Sequence, residues 1–170
     1  MHLLTFAVGD GEYAIESRHV VEVLPMVAAR PLPHSPAFLR GVFLHRGRLV
    51  PLVDLGLRLA GAAVRERLST RVIVVEFPSA PCAGGSAGGP RRLGLGAEKV
   101  VSLAVHAAPE SVLSLGGAAA PWLGPLLRVD GRTVQLLRVE HILPSEAAAA
   151  VPDSTAADRD VAAPADARPS

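Results

Sequence analysis

A repeat inside the chain constrains the fold most. Phe38–Leu59, FLRGVFLHRGRLVPLVDLGLRL, aligns without a gap to Trp122–Leu143, WLGPLLRVDGRTVQLLRVEHIL. Leu39/Leu123, Gly47/Gly131, Arg48/Arg132, Val50/Val134, Leu52/Leu136 and Leu59/Leu143 are identical pairs, and the aromatic starts Phe38 and Trp122 correspond. Further upstream, Tyr13-Ala14-Ile15 followed by Val20-Val21 parallels Leu93-Gly94-Leu95 followed by Val100-Val101. Such a duplication predicts two similar supersecondary units. Each is too short for a sandwich, so a small closed or nearly closed barrel is the economical way to hide its strand edges.

The elements inside each unit read as strands. Sixteen glycines and 15 prolines in 170 residues exclude a long helical bundle. Leu4–Val8 and Tyr13–Ile15 flank Gly9-Asp10-Gly11-Glu12, whose Asp-Gly step supplies the positive φ of a tight hairpin. His19–Leu24 reads as a third strand. Val42–His45 and Leu49–Val53 flank Arg46-Gly47-Arg48, and Leu126–Val129 and Thr133–Leu137 flank Asp130-Gly131-Arg132. Helical periodicity is confined to short stretches near Ser35–Leu39 and Asp54–Leu59. The uncharged run Pro78–Pro90, PSAPCAGGSAGGP, predicts a long loop between two strands. The expectation is an all-β protein with minor helix: a first barrel over 1–66, a second over 67–144, and a flexible Ala/Asp/Pro tail over 145–170.

Charge is unevenly spread. The tail carries Glu146, Asp153, Asp158, Asp160 and Asp166 against Arg159 and Arg168, leaving a body with 15 basic and 11 acidic residues. That surplus is too small to predict a nucleic-acid binder, and an aromatic content of 4% supplies few base-stacking platforms. A small nucleic-acid-binding barrel is therefore the alternative, not the first reading. The lone cysteine, Cys82, excludes an intramolecular disulfide and a cysteine-based zinc knuckle. No signal peptide is read at Met1–Phe6 and no membrane-spanning run follows, so a soluble cytoplasmic protein is expected.

Two enzyme patterns match in letters only. Gly84-Gly85-Ser86-Ala87-Gly88 satisfies G-x-S-x-G, but no helix follows to build a nucleophile elbow. Gly9-Asp10-Gly11-Glu12-Tyr13-Ala14 satisfies a dinucleotide fingerprint, but the next element reads as a strand where a helix N-terminus is needed. The only lysine, Lys99, follows no phosphate-binding loop, and His2, His19, His34, His45, His106 and His141 show no paired ligand spacing. No catalytic residue, cofactor or metal site is predicted.

Arg30–Leu59 is the informative segment. Pro31, Pro33 and Pro36 force an extended approach, Gly41 and Gly47 bracket a hairpin tipped by Arg46 and Arg48, and Val50-Pro51-Leu52-Val53-Asp54 follows. A proline within a strand belongs on an edge or at a bulge. This run, Leu32-Pro33-His34-Ser35-Pro36-Ala37-Phe38-Leu39-Arg40-Gly41 through Arg46-Gly47 to Val50-Pro51-Leu52-Val53-Asp54-Leu55, resembles the CheW family of chemosensory adaptors. The likeness extends over roughly Leu3–Pro144.

The resemblance implies two five-stranded, SH3-like barrels sharing a core, and an adaptor without catalysis. It implies two partners: the cytoplasmic tip of a methyl-accepting chemoreceptor, and the regulatory domain of a CheA-type histidine kinase. The protein would be recruited to membrane-associated receptor arrays without inserting in the membrane. It places Val20, Glu22, Gly41 and Arg46 at receptor-coupling positions, with Arg48 and Asp54 as structural or partner contacts. In this picture Arg46 supplies charge-assisted hydrogen bonds and Gly41 lets a partner backbone approach. The second half departs from the family pattern. Leu93–Val101 carries the single acid Glu98, and Arg138-Val139-Glu140 stands where the closing strand usually ends in an acid. These departures suggest a Wsp-type surface-sensing pathway that drives a diguanylate cyclase.

Overall fold

The computed structural model describes residues 2–78, 89–106, 110–114, 120–144 and 147. The Gly84–Gly88 pattern, most of the Pro78–Pro90 loop and nearly all of the 145–170 tail lie outside them.

The regular secondary structure of the described residues is almost entirely strand. In order come β1 (His2–Val8), β2 (Gly11–Glu16), a 3-10 turn (Ser17–His19), β3 (Val20–Pro25), β4 (Leu39–His45), β5 (Arg48–Asp54) and α1 (Leu55–Leu59). Then follow β6 (Arg71–Phe77), the long β7 (Arg91–His106), β8 (Glu110–Ser114), β9 (Leu123–Val129), β10 (Arg132–Leu137) and a closing 3-10 turn (Val139–His141). The helix expected at Ser35–Leu39 is absent: Leu39 already begins β4. The first hairpin turns one step earlier than its Asp-Gly pair suggests. Val8 pairs with Gly11, and Gly9 takes the positive φ of +57°. The fingerprint-like Gly9–Ala14 is therefore a β-hairpin with no helix behind it.

The duplication is reproduced in the backbone. Leu39 N donates to Pro36 O (2.9 Å) and Asp54 N to Phe38 O (2.7 Å). At the equivalent positions, Leu123 N donates to Ala120 O (3.0 Å) and Arg138 N to Trp122 O (2.8 Å). Leu52 pairs in parallel with Gly94, and its equivalent Leu136 pairs in parallel with Ala14. Where the repeats part company, chemistry explains it. The Asp54 carboxylate caps α1 by accepting from Leu57 N at 3.1 Å, whereas Arg138 has no acceptor to offer and its turn stays 3-10.

Strand pairing cuts across the 66/67 boundary. One unit is ordered β3-β6-β7-β5-β4, using the first half of β7. The other is β7-β1-β2-β10-β9-β8, using its second half. Each repeat thus lends its first strands to the unit completed by the other. Central strands are buried on both faces as a result. Val72 and Val74 join Phe43, Val50 and Leu52 inside one unit, while Ile73 and Val75 face a shared core with Leu4, Phe6, Ile15, Val53, Leu93 and Leu95. On the other side Leu3, Ala14 and Leu136 fill the second unit's interior with Leu127, Val129 and Val134, and Leu4, Ile15 and Leu137 face the shared core. This double burial accounts for the unbroken apolar run Val72–Val75.

At one end of the shared core, the Arg58 guanidinium lies 4.6 Å from the centre of the Phe38 ring and 3.7 Å from that of Trp122. Its Nε donates to Ile142 O at 3.1 Å, and burial lowers its pKa. The two repeat-equivalent aromatics thus share one cation.

The sheet is not closed. No ladder joins β3 to β4 among the described residues, because Arg30 occupies the free edge of β4: Arg30 N donates to Val42 O (2.7 Å) and Val42 N to Arg30 O (2.9 Å). Prolines at 25, 31 and 33 have no N–H with which to extend that pairing.

Because neither repeat holds a complete unit, residues 1–66 and 67–170 expressed separately should each lack a cooperative thermal transition and native far-UV circular dichroism. Mixing them should restore both. Cooperative unfolding of either fragment alone would contradict the exchange of strands.

Candidate functional site

The open seam between β3 and β4 gathers most of the residues singled out by sequence. Val20 begins β3 opposite Val75 and is half-buried against the shared core. Glu22 follows two residues on. Across the seam, β4 ends in a two-residue turn in which His45 pairs with Arg48. Arg46 and Gly47 both adopt left-handed conformations there (φ +50° and +75°), as a primed hairpin turn requires.

The Glu22 carboxylate reaches over the seam. Its Oε2 accepts from His45 Nε2 at 2.9 Å and from Arg46 Nη2 at 3.1 Å. A carboxylate only accepts, so the His45 proton sits on Nε2. The His45 hydrogen bond, opposed by desolvation and helped by the Arg46 charge, holds the Glu22 pKa below the ordinary carboxylate value. The Arg46 side chain is 65% exposed. Arg48 is exposed at the same turn, on the next strand.

Gly41 serves its own chain. It sits at a bulge where Leu39 pairs with Val53 and Gly41 with Leu52, and its φ is +134°. A Cβ there would overlap the Arg30 carbonyl and lie 2.9 Å from Pro31 Cα. The backbone that approaches Gly41 is therefore the Arg30–Pro31 segment that covers the edge of β4.

Asp54 stands apart from this group. It is 1% exposed, and besides capping α1 its Oδ1 accepts from Val64 N at 3.0 Å. Its outer partner is Arg40, whose Nε lies 3.8 Å from Oδ2 and whose Nη1 pairs with Glu66 at 3.1 Å. Asp54 pins the segment after α1 to the end of β5.

Sequence reading missed two participants, His45 and Arg30. Strand alternation carries a signal for the first: Phe43 and His45 are two apart and share a face, so a buried Phe43 implies a buried histidine. Arg30 gives no such signal, since its contribution is backbone alone.

Clefts among the described residues lie elsewhere. One of about 370 Å³ is lined by Tyr13, Arg58, Leu59, Trp122 and Gln135, and burial raises the Tyr13 pKa. A smaller one of about 220 Å³ runs between His19 and Glu140. None of Val20, Glu22, Gly41 and Arg46 lines either.

With this geometry in place, the comparison with known proteins is decisive. The CheW-like domain matches residues 2–147. The chain belongs to the CheW-like family. It is 27% identical over 150 residues to "Chemotaxis protein CheW" of Rhizobium meliloti, covering 85% of this chain and 88% of that protein. It is 30% identical over 154 residues to "Chemotaxis protein CheW" of Klebsiella aerogenes, covering 87% and 84%. The fold is that of the scaffolding protein TtCheW from Thermoanaerobacter tengcongensis, with a TM-score of 0.67 at 18% identity over 86% of this chain and 89% of that one. CheW-like membership replaces the nucleic-acid-binding alternative, for which neither the family nor the fold offers support.

The seam should distinguish its two glycines. Gly41→Ala should destabilise by about 2–4 kcal/mol, because backbone must move as well as strain. Gly47→Ala meets nothing within 4 Å and should cost only the left-handed strain, about 1 kcal/mol. Denaturant midpoints at unchanged slope measure both. A second expectation concerns pH. Since folding lowers the Glu22 pKa, its contribution is present above the unfolded carboxylate value and disappears as pH falls through the folded one. Acid titration of stability should therefore be shallower in Glu22→Gln than in the native protein.

Proposed function

We propose that this chain is the coupling adaptor of a chemosensory array, joining the cytoplasmic tip of a methyl-accepting receptor to the regulatory domain of a CheA-type histidine kinase. The observation that carries the reading is the CheW-like match over residues 2–147, which includes the whole Pro33–Leu55 motif. The β3–β4 seam is the receptor-facing surface in this reading, with Val20, Glu22 and Arg46 as contacts and Gly41 as the residue that lets the seam form. The adaptor makes and breaks no covalent bond. It works by touching receptor and kinase with different free energies in the two signalling states.

Among the described residues no helix is long and apolar enough to cross a membrane. We place the protein in the cytoplasm, brought to membrane-associated arrays by its receptor. A basic hairpin tip with Arg46 and Arg48 suits a partner surface bearing carboxylates, and the charged contact sets orientation more than affinity.

The test is a pull-down against receptor tips and kinase regulatory domains encoded nearby, flagellar and Wsp-type sets side by side. It is joined to a reconstituted receptor–kinase assay with Arg46→Glu. The charge reversal puts a carboxylate beside Glu22 and should abolish receptor-dependent control of the kinase, while thermal unfolding moves by no more than a few degrees. Native-like coupling in Arg46→Glu, or failure of the native chain to retain either partner, would overturn the reading.

A further inference from the structure

The buried member of the seam cluster is a histidine. His45 is 5% exposed, and its ring meets the Phe43 ring edge-on at 6.4 Å and 63°. Its Nδ1 is buried with no hydrogen-bond partner. An unpartnered buried polar atom costs stability, and an apolar side chain would fill the same inward position more cheaply. What the imidazole offers in return is a single donor aimed across the seam, where no backbone ladder ties β3 to β4.

We propose that His45 is the positioning residue of the coupling surface: its Nε2–H fixes the Glu22 carboxylate across the seam, and Glu22 in turn holds Arg46. The role rests on the function proposed above. Both bonds converge on one oxygen, Glu22 Oε2, but they are unequal. Arg46 is mostly in water, where an ion pair is screened and contributes little. The His45 bond is made from inside the unit by a group whose ring cannot wander, and a hydrogen bond to a charged acceptor is stronger in such surroundings. The order of dependence therefore runs from His45 to Glu22 to Arg46. The groups facing the imidazole are Glu22 from β3 and Phe43 from its own strand, with Arg46 and Arg48 completing the turn. His45 touches no partner itself.

Two amide variants separate the donor from the volume. In His45→Gln the amide nitrogen falls near the place of Nε2, whereas in His45→Asn the side chain is too short to reach Glu22. Carboxyl-carbon NMR titration of Glu22 gives a readout independent of any partner. It should show the midpoint moving up in His45→Asn and staying near the native value in His45→Gln. Receptor-dependent stimulation of the kinase should fall roughly tenfold in His45→Asn and recover in His45→Gln. If His45→Asn does not fold, His45→Leu, which fills the site without a donor, should give the same two losses. An unchanged Glu22 midpoint in the folded donor-less variant overturns the proposal outright. A shifted midpoint with intact coupling overturns the positioning role. Intact coupling in Arg46→Glu as well would assign the failure to the proposed receptor surface instead of to His45.

Discussion

Everything in this molecule depends on strands that are buried on both faces. Val72, Ile73, Val74 and Val75 have no accessible surface because odd and even positions serve different interiors, one inside a unit and one between units. The exchange of first strands between repeats makes this arrangement possible. It places β6 and the start of β7 beside β3 and β5, and β1 and β2 between the end of β7 and β10. The interface between units is thus continuous with the cores on either side of it. A rigid frame of this kind is what an adaptor needs if a contact on one surface is to be felt at another.

Much of the frame was legible in sequence because it follows from local rules. The hairpins at Arg46-Gly47 and Asp130-Gly131 declare themselves by residues that tolerate positive φ, and the structure puts both turns there. The gapless repeat is a real structural repeat, down to matched backbone bonds at Phe38 and Trp122. What sequence could not supply is partnership between distant strands. A duplication indicates two like units without saying which copy of a strand completes which unit, and register alone decides that. Nor does sequence decide between a closed and a nearly closed barrel. Pairing of Arg30 with Val42 prevents closure, and nothing in a Pro-rich approach segment shows which edge it will cover.

The candidate site divides along the same line. Glu22 and Arg46 lie 24 residues apart in sequence, and their pairing depends on β3 and β4 facing one another, which spacing alone does not show. Asp54 is buried and spends its carboxylate on Leu57 and Val64 of its own chain. The missing side chain of Gly41 accommodates the chain's own Arg30–Pro31 segment. Arg138 shows how one difference between the repeats has a local consequence, since an arginine at the position equivalent to Asp54 leaves a 3-10 turn where the first repeat has a capped helix.

A surface that couples by touch must be where the partner's presence is felt. Methyl NMR of the full chain titrated with a receptor-tip fragment reads that surface directly. Shifts concentrated at Val20, Val21, Val23 and Val42, flanking the Glu22–Arg46 pair, are the predicted result. Shifts confined to Val129 and Val134 on the β9–β10 hairpin, with the β3–β4 valines unmoved, would contradict the account.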